Sequence, residues 1–100
     1  MSLSVIFKPA ARWEFDEAVA WYENECPGLG REFKLEAKLA LKRAWTNPEH
    51  FQRARGGARK IRLRRFKQYA IYFVVKDDVF AVLAVFHASR NPAELRQRLK

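Results

Sequence analysis

The sequence predicts an α+β domain of order β-α-α-β-β-β, with a helical hairpin packed on one face of an antiparallel sheet. Three observations carry that expectation. The stretch from Lys60 to Arg90 contains three β-type runs separated by turn-length breaks. Ahead of it, two long stretches repeat apolar residues with a helical period and are parted only by Pro27-Gly28. The chain of 100 residues holds no Gly/Ser linker, internal repeat or low-complexity segment, so residues 1–100 read as a single domain with one core.

Taken in order, Leu3–Phe7 is a short apolar, β-branched run stopped by Lys8-Pro9, and reads as an N-terminal strand. Pro9 suits the first turn of a helix, where its missing N–H costs nothing. Ala11, Phe15, Ala18, Val19 and Tyr22 then recur on one helical stripe, while Asp16, Glu17, Glu23 and Glu25 fall mostly off it. Pro27 and Gly28 stop this helix by Cys26. The second helix runs from about Leu29 to Trp45, with Phe33, Ala37, Ala40, Leu41 and Ala44 facing inward. Asn47-Pro48 ends it, with Asn47 expected in the left-handed conformation. So short a break makes the two helices an antiparallel hairpin, which buries its stripes on a sheet face.

Glu49–Arg59 reads as a mobile, positively charged loop around Gly56-Gly57. Lys60–Arg65 alternates, Ile61 and Leu63 one way and Lys60, Arg62 and Arg64 the other, which is a strand with one buried and one charged face. Tyr69–Lys76 is rich in aromatic and β-branched residues, and Asp77-Asp78 makes a tight turn after it. Val79–Phe86 has no polar residue, so it is expected as a central strand covered on both faces, with Val82, Leu83, Ala84 and Val85 nearly buried. Asn91-Pro92 opens a terminal segment of one or two helical turns.

Composition narrows the function. Twenty Lys and Arg against eleven Asp and Glu give a formal net charge of +9, which implies an anionic partner: nucleic acid, a membrane surface or an acidic protein segment. The single cysteine, Cys26, excludes an internal disulfide and fits a cytoplasmic protein. Met1–Phe7 lacks a secretory pattern, and no apolar run approaches the roughly 20 residues that cross a bilayer, so no membrane role is expected. His50 and His87 lie far apart and no phosphate-binding Gly motif is present, so neither a metal nor a cofactor is expected.

What remains are charges and aromatics. Lys60, Arg62, Arg64, Arg65 and Lys67, with Arg90 at the strand exit, can grip phosphates. They serve equally well as a solvated face that protects a strand from aggregation. Tyr69 and Tyr72 can stack bases but point to opposite faces. His87 shares a face with Leu83 and Val85 by parity, either as a core-edge histidine or as a catalytic acid. Trp13 and Trp21 lie off the main stripe of the first helix, and either pack on the second helix or present an interface.

Read in order, F-K-P-A-A, E-A-V-A-W-Y-E, P-G-L-G-R-E-F, N-P-E-H-F, R-L-R-R-F, Y-A-I-Y-F and V-L-A-V-F-H-A-S-R-N-P span nearly the whole chain. This series resembles the RelE/ParE superfamily of toxins from bacterial type II toxin–antitoxin modules, and its ParE, or plasmid stabilisation, branch best. The resemblance implies a small toxin neutralised in a hetero-oligomer with a cognate antitoxin, whose acidic, partly disordered segment folds onto it. RelE-like members are ribosome-dependent endoribonucleases that cut mRNA, whereas ParE-like members are associated with inhibition of DNA gyrase. Lys60, Arg62 and Arg64 stand where the RelE pattern keeps a basic strand. Three RelE positions depart, as Tyr69, Ala88 and Glu94. The resemblance therefore implies a gyrase inhibitor rather than an enzyme. The alternatives are a RelE-like mRNA endoribonuclease and a non-toxic antitoxin-binding homologue. The expected target-binding residues are Lys60, Arg62, Arg64, His87 and Arg90; the expected antitoxin-binding residues are Trp13 and Trp21.

Overall fold

A computed structural model describes residues 4–100; the expected strand start at Leu3 lies outside the described residues. Strand β1 (Ser4–Phe7) leads into helix α1 (Pro9–Glu25), and three residues turn the chain into α2 (Leu29–Thr46). A short strand β2 (Gln52–Arg53) precedes the meander β3 (Arg59–Arg62), β4 (Tyr69–Lys76) and β5 (Val79–His87), and α3 (Pro92–Arg98) closes the chain. The expected order of elements stands. β4 and the start of α2 fall where the sequence places them, and β3 ends three residues sooner than expected, at Arg62.

The sheet differs from expectation at one edge. Its strand order is β1-β5-β4-β3-β2, antiparallel from β5 to β2, but β1 pairs in parallel with β5, so the sheet is mixed. A four-residue apolar run carries no information about strand direction. Direction is decided when the helical hairpin returns the chain across the sheet and leaves the edge of β5 open for β1.

The segment expected as a loop, Glu49–Arg59, is mostly ordered structure. Two 3₁₀ turns, Pro48–His50 and Arg55–Gly57, flank β2, which pairs with β3 through Gln52 and Lys60 and through Arg53 and Arg59. Gly56 has φ +68°, and a Cβ there would sit 1.7 Å from the Leu99 carbonyl oxygen, so this turn is packed against the C-terminal end. Asn47 is not left-handed; its φ is −138°, and Pro48 alone suffices to end α2. Asp77 and Asp78 both adopt left-handed φ, 51° and 63°, as a two-residue hairpin turn between twisted strands requires.

Both sheet faces are covered. α1 and α2 bury Phe15, Tyr22 and Phe33 against Ile61, Ile71, Phe73, Val82 and Val85. On the opposite face, Leu95 and Leu99 from the C-terminal region pack with Tyr72, Ala84 and Phe86. This two-sided cover explains why β5 tolerates no polar residue before His87. Val82, Ala84 and Val85 are buried and Leu83 half-buried. The register shifts between Tyr72 and Phe73, which pair with Ala84 and Val82, so Leu83 bulges without a partner on β4. The bulge corrects half of the parity expected for His87, which keeps its face with Val85 but not with Leu83. Leu83 packs on the α3 side, while Val85 packs on the hairpin side and His87 stands edge-on to Tyr69, which joins the same hairpin-side core.

The hairpin itself is closed by Glu23 and Gly30. The Glu23 carboxylate accepts from the backbone N–H groups of Gly28 (2.9 Å) and Gly30 (3.1 Å), satisfying donors at the start of α2. Gly30 is buried against α1, and a Cβ there would lie 2.5 Å from the Val19 carbonyl oxygen. Gly30→Ala is expected to force the helices apart and to destabilise the domain by about 1–3 kcal/mol, readable as a fall in Tm.

Candidate functional site

β1 covers β5 only as far as Val82. Beyond it, β5 continues to His87 with an outer edge that no strand among the described residues pairs. An open edge leaves main-chain donors and acceptors without partners. Here a side chain takes the place of a strand. Glu14 of α1, only 5% exposed, turns inward beside Phe15, and its Oε1 accepts from the Val85 N–H at 3.0 Å. The same oxygen accepts from Arg98 Nη1 at 2.7 Å, and Oε2 accepts from Arg90 Nη1. Arg98 also reaches the carbonyl of the bulged Leu83 at 3.4 Å. Arg90 donates to Glu94 at 2.8 Å and lies 4.4 Å above the Phe86 ring. One carboxylate thus joins α1, β5 and α3.

Burial by itself raises the Glu14 carboxyl above the usual carboxylate range. Hydrogen bonds from Arg98, from the Val85 N–H and from Arg90 outweigh it, and the net shift is downward. Glu14 is therefore held in its ionised form at neutral pH.

A cleft of about 340 Å³ opens beside this cluster, lined by Trp13, Glu17, Tyr69, His87 and Arg90 among others. His87 stands edge-on to Tyr69, ring centroids 4.9 Å apart. Its Nδ1 accepts from the Ser89 N–H at 3.0 Å, with Ser89 Oγ at 2.7 Å, so the neutral ring carries its proton on Nε2. Burial pushes the Tyr69 hydroxyl up, and the nearby Tyr22 adds to the rise.

The residues singled out in the sequence fall in three places. Lys60 and Arg62 lie on the α3 face of the sheet, with Lys60 Nζ 5.8 Å from the Tyr72 ring. Arg64 sits in the turn after β3, beside Leu35, Leu39 and Arg43 of α2. His87 and Arg90 flank the cleft. β3 and β5 run in the same direction with β4 between them, so Arg62 and His87 leave the sheet at the same end, two strand spacings or roughly 10 Å apart. Trp13 and Trp21 are 64% and 54% exposed rather than packed on α2, and Trp13 forms one wall of the cleft.

Glu14 and Arg98 were not singled out in the sequence. The available signal was Glu14's place on the apolar stripe, three residues after Ala11 and four before Ala18. Among the described residues, no group of three or more His, Cys, Asp or Glu is gathered closely enough to hold a metal ion. None of their helices is long and apolar enough to cross a membrane.

A family model described as "ParE toxin of type II toxin-antitoxin system, parDE" matches residues 5–92, and the chain belongs to that family. A solved structure titled "Chromosomal ParDE TA system from P. aeruginosa" shares the fold with a TM-score of 0.70 at 17% identity, covering 85% of this chain and 95% of that one. No curated protein sequence matches. As a ParE-type toxin, the chain has an antitoxin for a partner.

The Glu14 cluster sets an acid limit. A carboxyl with a lowered folded-state pKa contributes stability that is complete above the unfolded value, about 4.3 for Glu, and that is lost as pH falls through the folded value. Glu14→Gln should therefore flatten the loss of stability below about pH 4 relative to the parent chain, measured by urea melts across pH. Glu14→Ala, which strands two arginines and a strand N–H, should cost about 3 kcal/mol or more at neutral pH and lower Tm by over ~10 °C.

Proposed function

We propose that this ParE-type toxin works by binding, blocking DNA gyrase in the cytoplasm without breaking a bond. The observation that carries the reading is the state of Arg90. A cation that stabilises a phosphate during RNA cleavage has to be available to it. Arg90 instead donates to Glu14 and Glu94 and lies over Phe86, a structural role. Membership of the ParE family supports the same branch.

The proposed target surface comprises Lys60, Arg62 and Arg64, with His87 at its rim; Arg90, expected there as well, borders it with its guanidinium already held by Glu14 and Glu94. Lys60, Arg62 and Arg64 make no ion pair among the described residues. Their charges are free for charge-assisted hydrogen bonds, each contributing about 1.5–3 kcal/mol when well formed. The antitoxin is proposed to fold an acidic, partly disordered segment over the outer face of α1, where Trp13 and Trp21 offer large apolar area.

The test is expression without antitoxin, followed by parallel assays of DNA supercoiling and of mRNA cleavage on ribosomes. Loss of supercoiling with intact mRNA is expected. Ribosome-dependent cleavage with supercoiling untouched would replace this reading with the RelE-like one, and loss of neither would make the chain a non-toxic antitoxin binder. Arg62→Glu with Arg64→Glu should abolish growth inhibition while leaving Tm within a few degrees, because both side chains are exposed. His87→Ala should change inhibition less than about threefold, where a general acid would cost on the order of a hundredfold. Trp13→Ala with Trp21→Ala should weaken antitoxin binding at least ~10-fold.

A further inference from the structure

On a chain of formal charge +9, the cleft at the end of β5 presents a free carboxylate. Its walls are Trp13 and Glu17 from α1, Tyr69 from the start of β4, and His87 and Arg90 from the exit of β5. Glu17 is exposed and makes no ion pair among the described residues. Burial and then Tyr22 do most to raise the Tyr69 hydroxyl, and Glu17 adds to the rise, so its charge stands near that ring. The other charges at the cleft are matched. Glu14 binds Arg90 and Arg98, and Glu94 binds Arg90 from its other side. Trp13, with an indole largely open to solvent, lies one turn before Glu17 on the same flank of α1.

An open carboxylate beside an open indole selects the occupant. A phosphate or an acidic side chain would face Glu17 and find Arg90 already committed. An apolar side chain would cover Trp13 but strip water from an unpaired carboxylate, which is costly. A cationic side chain satisfies both walls at once. Of the two natural choices, a guanidinium suits the cleft better than an ammonium. It is flat and weakly hydrated, and it stacks on an indole while its N–H fork donates to a carboxylate at the edge of the ring. An ammonium is more strongly hydrated and has no plane to lay on Trp13.

We infer that this cleft is a binding site for an arginine side chain carried by a partner protein. The guanidinium lies on Trp13 and donates to Glu17, and the aliphatic stem crosses the edge-on pair of Tyr69 and His87. The free amino acid fits less well, because its α-carboxylate finds no uncommitted cation among the lining residues; within a polypeptide that group is an amide. A second copy of the chain also fits poorly, because it would bring together two molecules of formal charge +9. Trp13 belongs as well to the face proposed for the antitoxin, but the inference rests on the cleft's own groups and holds whichever partner covers the rest of α1 and whichever target the toxin has.

The test titrates the full, isotope-labelled chain with a short peptide of glycine and serine around one arginine, both ends blocked, and follows the backbone amide signals of Tyr69 and His87. Two control peptides carry lysine or the neutral isostere citrulline in place of the arginine, and a third probe is free arginine. Saturable shifts with the arginine peptide are expected, weakened by salt, with the lysine peptide at least ~3-fold and the citrulline peptide at least ~10-fold weaker. Glu17→Gln and Trp13→Ala should each weaken the arginine peptide at least ~5-fold, Trp13→Phe less, while Trp21→Ala leaves it unchanged. Glu17 and Trp13 are both exposed, so each variant is expected to keep the parent's melting curve, and the two report independently. Any of four results would overturn the inference: no saturable shift, equal binding of the lysine or citrulline peptide, an equal loss in Trp21→Ala, or sedimentation showing a dimer that Glu17→Gln dissolves. Free arginine binding more tightly than the peptide would overturn it too and assign the cleft to a small molecule.

Discussion

A single buried carboxylate holds the exit end of β5 to the helices on either side of it. Glu14 lies under the open edge of β5, and it caps the Val85 N–H while binding Arg90 and Arg98. Taking such charges out of water costs several kcal/mol per ion, and an ion pair in an interior repays that only when its remaining hydrogen-bonding groups are satisfied. Here they are. Each carboxylate oxygen has an arginine, one also has the strand N–H, and both arginines have second acceptors, Glu94 and the Leu83 carbonyl. The alternative would be a bare stretch of apolar strand edge, which pairs readily with other chains.

That arrangement divides the positive charge of the chain into two kinds. Arg90, Arg98 and Arg65 are committed to carboxylates, and Arg59 donates to the Phe51 carbonyl. These arginines hold elements together. Lys42, Arg43, Lys60, Arg62 and Arg64 make no ion pair among the described residues and stand toward solvent or lie along α2. A net charge alone does not distinguish the two groups. Long-range attraction of an anionic partner depends on the sum of both, but only the second group has charges left free for new ion pairs.

Legibility in the sequence follows the range of the interactions. Tyr69–Lys76 and the Asp77-Asp78 turn could be read because side-chain alternation and left-handed turn preference act over a few residues. The exposed tryptophans and basic residues could be read as types, but not as an arrangement. Parity placed Leu83 and His87 on one face, and a one-residue bulge separated them. Glu14 escaped notice because nothing within its own helix needs it; its partners are 71 to 84 positions away.

The sequence by itself determined the kinds and order of the elements, the helical hairpin, and a last strand that had to be covered on both faces. All of these come from periodicity and turn chemistry within short windows. The tertiary structure alone decided that β1 runs parallel to β5, that the segment before β3 adds an edge strand, and that α3 supplies the second cover. It also decided that a glutamate on the apolar stripe of α1 becomes the anchor for two arginines of the C-terminal region. The physical reason is that pairing direction and ion-pair partners depend on which segments meet when the chain closes. A charge buried 5% exposed is stable only once those distant partners have arrived.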